Sequence, residues 1–155
     1  MTEKHLDPPE VRLSLALPGT WQLVSRVDVD DAGREVPEPS LGRDPVALLI
    51  YDRSGHFAAQ FMKRDRSGPA AVLGAAGPNN TRAMGGYDAY FGSYTVDDET
   101  SSVTQRLEGA LTNENVGLVL TRGMTVSGDR LTIALGTTSA SGTAVTRTLI
   151  WRRVG

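Results

Sequence analysis

The sequence predicts an all-β domain, built as a closed antiparallel up-and-down barrel of about eight strands. Three observations favour this fold class. The 155 residues include seventeen glycines and eight prolines, with many Val, Thr, Ile and Leu residues, a composition that favours strands over helices. No segment keeps a 3.6-residue apolar period for three turns, whereas segments with a period of two recur. Turn residues separate these segments, as in a sandwich or a barrel.

Eight segments carry the two-residue period. We predict strands over 19–29, 46–51, 56–63, 87–96, 102–108, 116–126, 130–136 and 144–153. Short turns join several of them, so the chain is expected to advance by adjacent antiparallel hairpins. Closing this meander into a barrel removes its exposed edges.

Two stretches fall outside the strand pattern. Residues 1–17 are expected to be extended or to form a short helical turn. Residues 64–86 form a long glycine-rich loop between strands 3 and 4, in which Asn79 or Asn80 can cap a short helix over 81–84. Loops of this length in compact domains are usually functional or disordered. We expect either a lid over the barrel mouth or a mobile loop without a role.

Turn sequences set the expected register of two hairpins. In YDRSGH a four-residue turn ending in Gly55 places Tyr51 opposite His56. In VSGDRL a turn of the same kind places Val126 opposite Leu131. Because side chains alternate between the faces of a strand, each register decides which residues share the interior.

An arginine is expected in the middle of the apolar interior. The VSGDRL register predicts one inward face made of Leu118, Leu120, Arg122, Met124, Val126, Leu131, Ile133 and Leu135. A buried guanidinium with five donors needs acceptors. Arg122 should therefore meet a carboxylate, backbone carbonyls, water or a bound ligand.

Alternation also directs two tyrosines inward. Tyr90 and Tyr94 share one face of the strand at 87–96, and Gly92 lies between them, making room or bending the strand. On the next strand the inward face is expected to comprise Val103, Gln105 and Leu107.

The hairpin at 46–63 has two candidate inward faces. The wholly apolar face comprises Val46, Leu48, Ile50, Phe57, Ala59 and Phe61. We expect it inside, because outward it would expose a large apolar patch. In the other arrangement the interior receives Tyr51, His56 and Gln60.

Five segments occur in order between Leu17 and Val154: GTWQLVS, LLIYDRSGHFAAQFM, YDAYFGSY, VTQRLEG and LIWRRV. Together they resemble the bacterial and fungal lipocalin-like domain family of small stand-alone barrels. The resemblance implies a barrel domain at 17–154 behind an N-terminal extension at 1–16. It also implies an interior that holds a small, mostly apolar molecule. Some relatives look associated with natural-product biosynthesis, and others resemble plain binding proteins.

The resemblance also assigns residues. It implies that Trp21 closes one end of the barrel and that an arginine near the C-terminus stacks on it as a cation–π pair. Arg153 is the better candidate than Arg152, since it shares a face with Trp151. Members often carry histidine where Gln105 stands, and an amide does not titrate near neutrality. A proton-transfer role is therefore not carried over to this position.

Composition and sequence patterns argue against several classes of function and binding site. The net charge of −2 and the absence of a basic run give no support for nucleic-acid binding. No apolar stretch is long enough for a membrane helix, and the absence of cysteine fits a cytoplasmic protein. Two separated histidines make zinc improbable, and no cofactor is expected. The acidic groups at 28–31 and 97–99 lack a calcium-loop pattern and are expected to be solvated turns. A homodimer stays open.

Eight inward residues form the candidate ligand site: Arg122, Tyr90, Tyr94, Gln105, Phe57, Phe61, Leu107 and Met124. Their polar members either satisfy one another or anchor a ligand's carboxylate, carbonyl or phenolate. His56, near a turn, is the weaker candidate for a general base. Three functions stay open: binding of a small, mostly hydrophobic ligand, a cofactor-independent cyclase or isomerase acting on a hydrophobic natural-product intermediate, and a barrel filled by its own side chains.

Overall fold

The computed structural model describes residues 11–67 and 77–155, and almost all of its regular structure is β. A short helix α1 spans Leu13–Ala16, and a 3-10 turn spans Asn113–Asn115. The strands are β1 Gly19–Val29, β2 Val46–Tyr51, β3 His56–Met62, β4 Tyr87–Asp97, β5 Ser102–Ala110, β6 Val119–Ser127, β7 Arg130–Thr138 and β8 Ala144–Arg153. Within these two ranges, no helix has the length and apolar character that a membrane crossing requires.

Each strand pairs antiparallel with the next, and β8 pairs with β1, so the sheet closes on itself. The predicted eight-stranded up-and-down barrel is therefore confirmed. The largest shift of a strand end is at β6, predicted from 116 and observed from Val119. Val126 faces Leu131 across the β6–β7 turn, as predicted.

The β2–β3 register differs from the prediction by one residue. Tyr51 faces Phe57 rather than His56. The turn holds three residues instead of four, because the Asp52 N–H donates to the His56 carbonyl at 2.9 Å. Gly55 has a φ of 92°, which lets a type I turn close through a left-handed residue.

This shift exchanges the two faces of β2. Its buried face comprises Ala47, Leu49 and Tyr51. The face predicted inside points outward and is 36–41% exposed: Val46, Leu48 and Ile50. The predicted inward residues of β3 are buried: Phe57, Ala59 and Phe61. Of the three residues in the alternative arrangement, Tyr51 points into the interior, whereas His56 and Gln60 are exposed.

The end of the barrel where β1 begins, which we call the closed end, is sealed around a tryptophan. Trp21 is fully buried, and its indole N–H donates to the Leu17 carbonyl at 3.0 Å. The Arg153 guanidinium lies over the indole, 4.2 Å from the ring centroid. It also donates to the carbonyls of Pro18 and Ala16. The last strand is thereby tied to the segment that enters the first.

Candidate functional site

Aromatic side chains fill much of the interior from the closed end upward. Tyr51 packs edge-on against Tyr94, with ring centroids 4.8 Å apart. Phe61 lies against Tyr90 at 6.5 Å and against Trp151 at 5.6 Å. Offset and edge-on pairs of this kind add packing energy beyond the area they bury. In this part of the lumen, the protein's own side chains occupy the space.

A cavity of about 50 Å³ remains toward the opposite, open end of the barrel. At about 10–15 Å³ of such space for each water, it holds roughly three to five water molecules. Since each water takes up about 30 Å³ in the liquid, this corresponds to a ligand on the order of 100 Å³, the size of one aromatic ring. Its apolar walls are formed by Leu41, Leu49, Phe61, Ile133, Leu135 and Leu149.

Arg122 projects from β6 into this cavity and is only 7% exposed. Its Nη1 donates to the backbone carbonyl of Asn79. Burial lowers the pKa of Arg122, while the nearby phenols of Tyr90 and Tyr51 counteract this shift. No carboxylate lies within ion-pair distance of Arg122 across residues 11–67 and 77–155. Within the same residues its remaining donors have no hydrogen-bond partner, so they can meet an acceptor in the cavity.

The other two guanidiniums at the cavity each have a carboxylate partner. Arg147 and Asp28 face each other on β8 and β1 and form a two-pronged pair, with Nε–Oδ1 at 2.7 Å and Nη2–Oδ2 at 2.9 Å. Both side chains are almost completely buried. Arg26 lies 3.5 Å from Glu38. Two buried ion pairs thus form one polar side of the cavity.

Residues 77–84, which we call the strap, cross the mouth of the cavity. The Asn79 amide pairs with the backbone of Thr121 in both directions, at 2.8 and 2.9 Å. The Asn115 amide pairs in the same way with the backbone of Arg82, at 2.9 and 2.8 Å. Four hydrogen bonds from two amides therefore fasten the strap to the barrel.

The short helix predicted over 81–84 is wrong, since these residues are irregular. Asn79 and Asn80 do not cap a helix. The Asn79 amide binds the backbone of β6, and the Asn80 side chain accepts from Arg147 Nη1 at 3.2 Å. Residues 68–76 of the predicted lid lie outside the described residues.

A buried carboxyl completes the cavity. Asp88 is 3% exposed and accepts a hydrogen bond from the Thr81 hydroxyl at 2.6 Å. Tyr90, two residues further along β4, lines the same cavity. Burial raises the pKa of Asp88 to about 6 and, together with the charge of Asp88, raises the pKa of Tyr90 to about 12.

Replacing this carboxyl should make stability less dependent on pH. The pKa of Asp88 is about 6 in the folded protein against an ordinary 3.8. The folded state therefore binds more protons between these values, and stability falls as pH rises through that window. We expect Asp88→Asn to raise the free energy of unfolding by about 1–3 kcal/mol at neutral pH, with no gain near pH 4. Urea unfolding at both pH values measures this.

A matched control for this prediction is Asp97→Asn, at the exposed end of the same strand. Because Asp97 is exposed, its replacement removes no buried charge and should give no gain at neutral pH. An equal gain at both pH values in Asp88→Asn would show that burial of the charge is not the cause.

The structure brings together four of the eight predicted ligand-site residues at the cavity: Arg122, Tyr90, Gln105 and Phe61. The other four lie elsewhere in the barrel wall or core: Tyr94, Phe57, Leu107 and Met124. Tyr94 donates from its hydroxyl to the Asp52 carbonyl, near the β2–β3 turn. Met124 lies beside the Tyr51 hydroxyl, which accepts a hydrogen bond from the Gln105 amide.

Several charged cavity residues were missed. Asp28, predicted in a solvated acidic turn, is instead buried in β1 and paired with Arg147. Asp88 and Arg147 share faces with Tyr90 and Leu149, so alternation alone could have placed both inward. Glu38 lies in the loop between β1 and β2, where no periodic pattern marked it.

The weaker candidates lie away from the cavity. His56 is exposed, and its Nδ1 is 2.7 Å from the Ser54 hydroxyl. In the part of the chain that the structure describes, no group of three or more His, Cys, Asp or Glu side chains is arranged to hold a metal ion.

The comparisons with known proteins agree with this architecture. A search of curated proteins gives no match. The family described as a lipocalin-like domain matches residues 18–154, a range that includes all eight strands of the barrel. This confirms the resemblance that the five ordered segments indicated. The chain therefore belongs to the lipocalin-like domain family.

Proposed function

We propose that this protein binds a small, mostly hydrophobic molecule with one polar end inside the barrel. A lipocalin-like barrel fits small-molecule binding in general. The observation that carries the proposal is Arg122, a buried guanidinium that faces the cavity without a carboxylate partner among the described residues. An arginine in that position costs free energy unless an acceptor meets its donors.

The shape of the cavity supports a ligand with two unlike ends. Leucine, isoleucine and phenylalanine side chains form the apolar walls. Arg122, Tyr90 and Gln105 converge on the same space and can donate hydrogen bonds to one oxygen-bearing group. The volume favours a body of about one ring or a short acyl chain, unless the strap moves aside.

Removal of the guanidinium tests the proposal. Arg122→Leu should weaken binding of ring-sized carboxylates and ketones by about 10- to 100-fold, because a hydrogen bond to a charged group is lost. Arg106→Leu is the control, since Arg106 points outward from the neighbouring strand β5. Titration calorimetry with a panel of such compounds measures both variants against the unmodified protein. Absence of binding across the panel, or equal affinities in all three proteins, would contradict the proposal.

A second candidate function is the cofactor-independent cyclase or isomerase. Asp88 favours it, because a carboxyl that titrates near neutrality shares the cavity with Arg122 and Tyr90. Asp88 can accept a proton from a carbon next to a carbonyl while Arg122 stabilises the resulting enolate oxygen. Chromatography of the panel compounds after incubation separates the two functions, since a binding protein returns every compound unchanged.

A further inference from the structure

The charged groups at the cavity differ in whether they have an ion-pair partner among the described residues. Among the described residues, the cavity is lined by the guanidiniums of Arg26, Arg122 and Arg147 and by the carboxyls of Glu38 and Asp88, and a third carboxyl, Asp28, is bonded to Arg147. Arg147 pairs with Asp28, and Arg26 pairs with Glu38. Within this part of the chain, Arg122 and Asp88 are the two members of the cluster without an ion-pair partner. When Asp88 is ionised the cluster is neutral, and when Asp88 is protonated the cluster has one positive charge in excess.

We propose that the cavity takes a small carboxylic acid as its anion and that binding is coupled to the uptake of one proton by Asp88. This inference rests on the proposed function and adds the chemical class of the ligand's polar end. The ligand carboxylate accepts hydrogen bonds from Arg122, and a proton from solvent binds an Asp88 carboxylate oxygen. The cluster with its ligand is then neutral, and no covalent bond changes.

The position of Tyr90 connects the two unpaired groups. Arg122 and Asp88 both act electrostatically on the Tyr90 phenol, in opposite directions. Both also line the same small cavity, so a carboxylate bound at Arg122 would lie near Asp88. Two carboxylates that share a poorly solvated site do not both ionise freely, so one of them retains a proton.

Of the three carboxyls, Asp88 can bind this proton with the smallest loss of ion pairing. Asp28 accepts two hydrogen bonds from the Arg147 guanidinium, so both of its oxygens are already engaged. Glu38 faces Arg26 and accepts from the Leu41 N–H at 3.0 Å.

Asp88, by contrast, accepts from neutral donors in the described part of the chain, among them Thr81 at 2.6 Å and the Asn115 amide at 3.5 Å. The charged groups that act on it are Arg26 from β1 and Arg147 from β8, and Tyr90 is its titratable neighbour on β4. Burial outweighs the attraction of both arginines, and the pKa of Asp88 is already raised to about 6.

Benzoate and benzamide form a matched pair of probes, since they have nearly the same shape and differ in charge. We expect the affinity for benzoate to be constant between about pH 5 and pH 6, where benzoate is ionised and Asp88 is already protonated, and to fall about tenfold for each pH unit above pH 6, because binding then requires a proton. The affinity for benzamide should not change with pH. Calorimetry in two buffers of different ionisation enthalpy should show uptake of about one proton for each benzoate bound near pH 8.

Asp88→Asn removes the titrating group and keeps an acceptor for Thr81. Its affinity for benzoate should be independent of pH and, near pH 8, about 100-fold tighter than that of the unmodified protein. Asp97→Asn, at the exposed end of β4, should retain the original pH dependence.

The outcomes separate the inference from the function on which it rests. Benzoate affinity that stays flat with pH, without proton uptake, overturns the coupling and leaves ligand binding intact. Binding of benzamide alone overturns the preference for an anion. Failure of both probes and of the wider panel overturns the proposed function. The two-buffer measurement uses the unmodified protein, so it decides the matter even if Asp88→Asn does not fold.

Discussion

Asp28→Asn is expected to lower the free energy of unfolding by about 3–5 kcal/mol. The carboxylate makes two bonds to Arg147, at 2.7 and 2.9 Å, across the seam between β1 and β8. Both side chains are buried. Removal of the Asp28 charge leaves the Arg147 guanidinium buried without its ion-pair partner, and the surrounding barrel cannot solvate it.

Urea unfolding measures this loss, and two further variants make it specific. Asp44→Asn is the control at an exposed ion pair, where Arg64 and Asp44 lie 3.4 Å apart, and it should cost about 0–1 kcal/mol. The double variant Asp28→Leu with Arg147→Met removes both charges and should recover much of the loss. A loss of unfolding free energy in Asp28→Asn as small as that in Asp44→Asn would show that the buried pair does not stabilise the seam.

Trp21→Ala is the second large effect, with an expected loss of about 3–5 kcal/mol. The indole is fully buried, donates to the Leu17 carbonyl and supports the Arg153 guanidinium at 4.2 Å. Its removal leaves a cavity at the closed end and takes away the aromatic face on which the guanidinium stacks.

Thermal and urea unfolding measure the loss, and Trp21→Phe separates its parts. Phenylalanine keeps an aromatic face for Arg153 but loses the bond to Leu17, so its cost should be clearly smaller. Equal losses in the two variants would mean that the hydrogen bond, rather than ring packing, seals this end.

Side-chain alternation was enough to predict most of the barrel. The VSGDRL turn set the Val126–Leu131 register, and alternation from that register placed Arg122 on an apolar inward face. It failed at β2, where the number of residues in the turn depends on the left-handed conformation of Gly55. An error of one residue in a turn sends every side chain of the strand to the other face.

The charged partners in the site depended on features that alternation does not reveal. A bulge in β1 between Leu23 and Ser25 resets its pattern. Counted from the inward Trp21, Asp28 would point outward, but beyond the bulge it points inward and meets Arg147. Glu38 and Thr81 come from loops and reach the cavity only through tertiary contacts.

For the proposed ligand, we expect the strap also to govern the rate of exchange. Two amides, from Asn79 and Asn115, hold it by four hydrogen bonds, and a molecule larger than the cavity is expected to pass only after these bonds break. Arrival and departure then share one slow step. If the closed strap is equally stable over the empty and the occupied barrel, weakening it should shorten the lifetime of the complex and leave its dissociation constant unchanged.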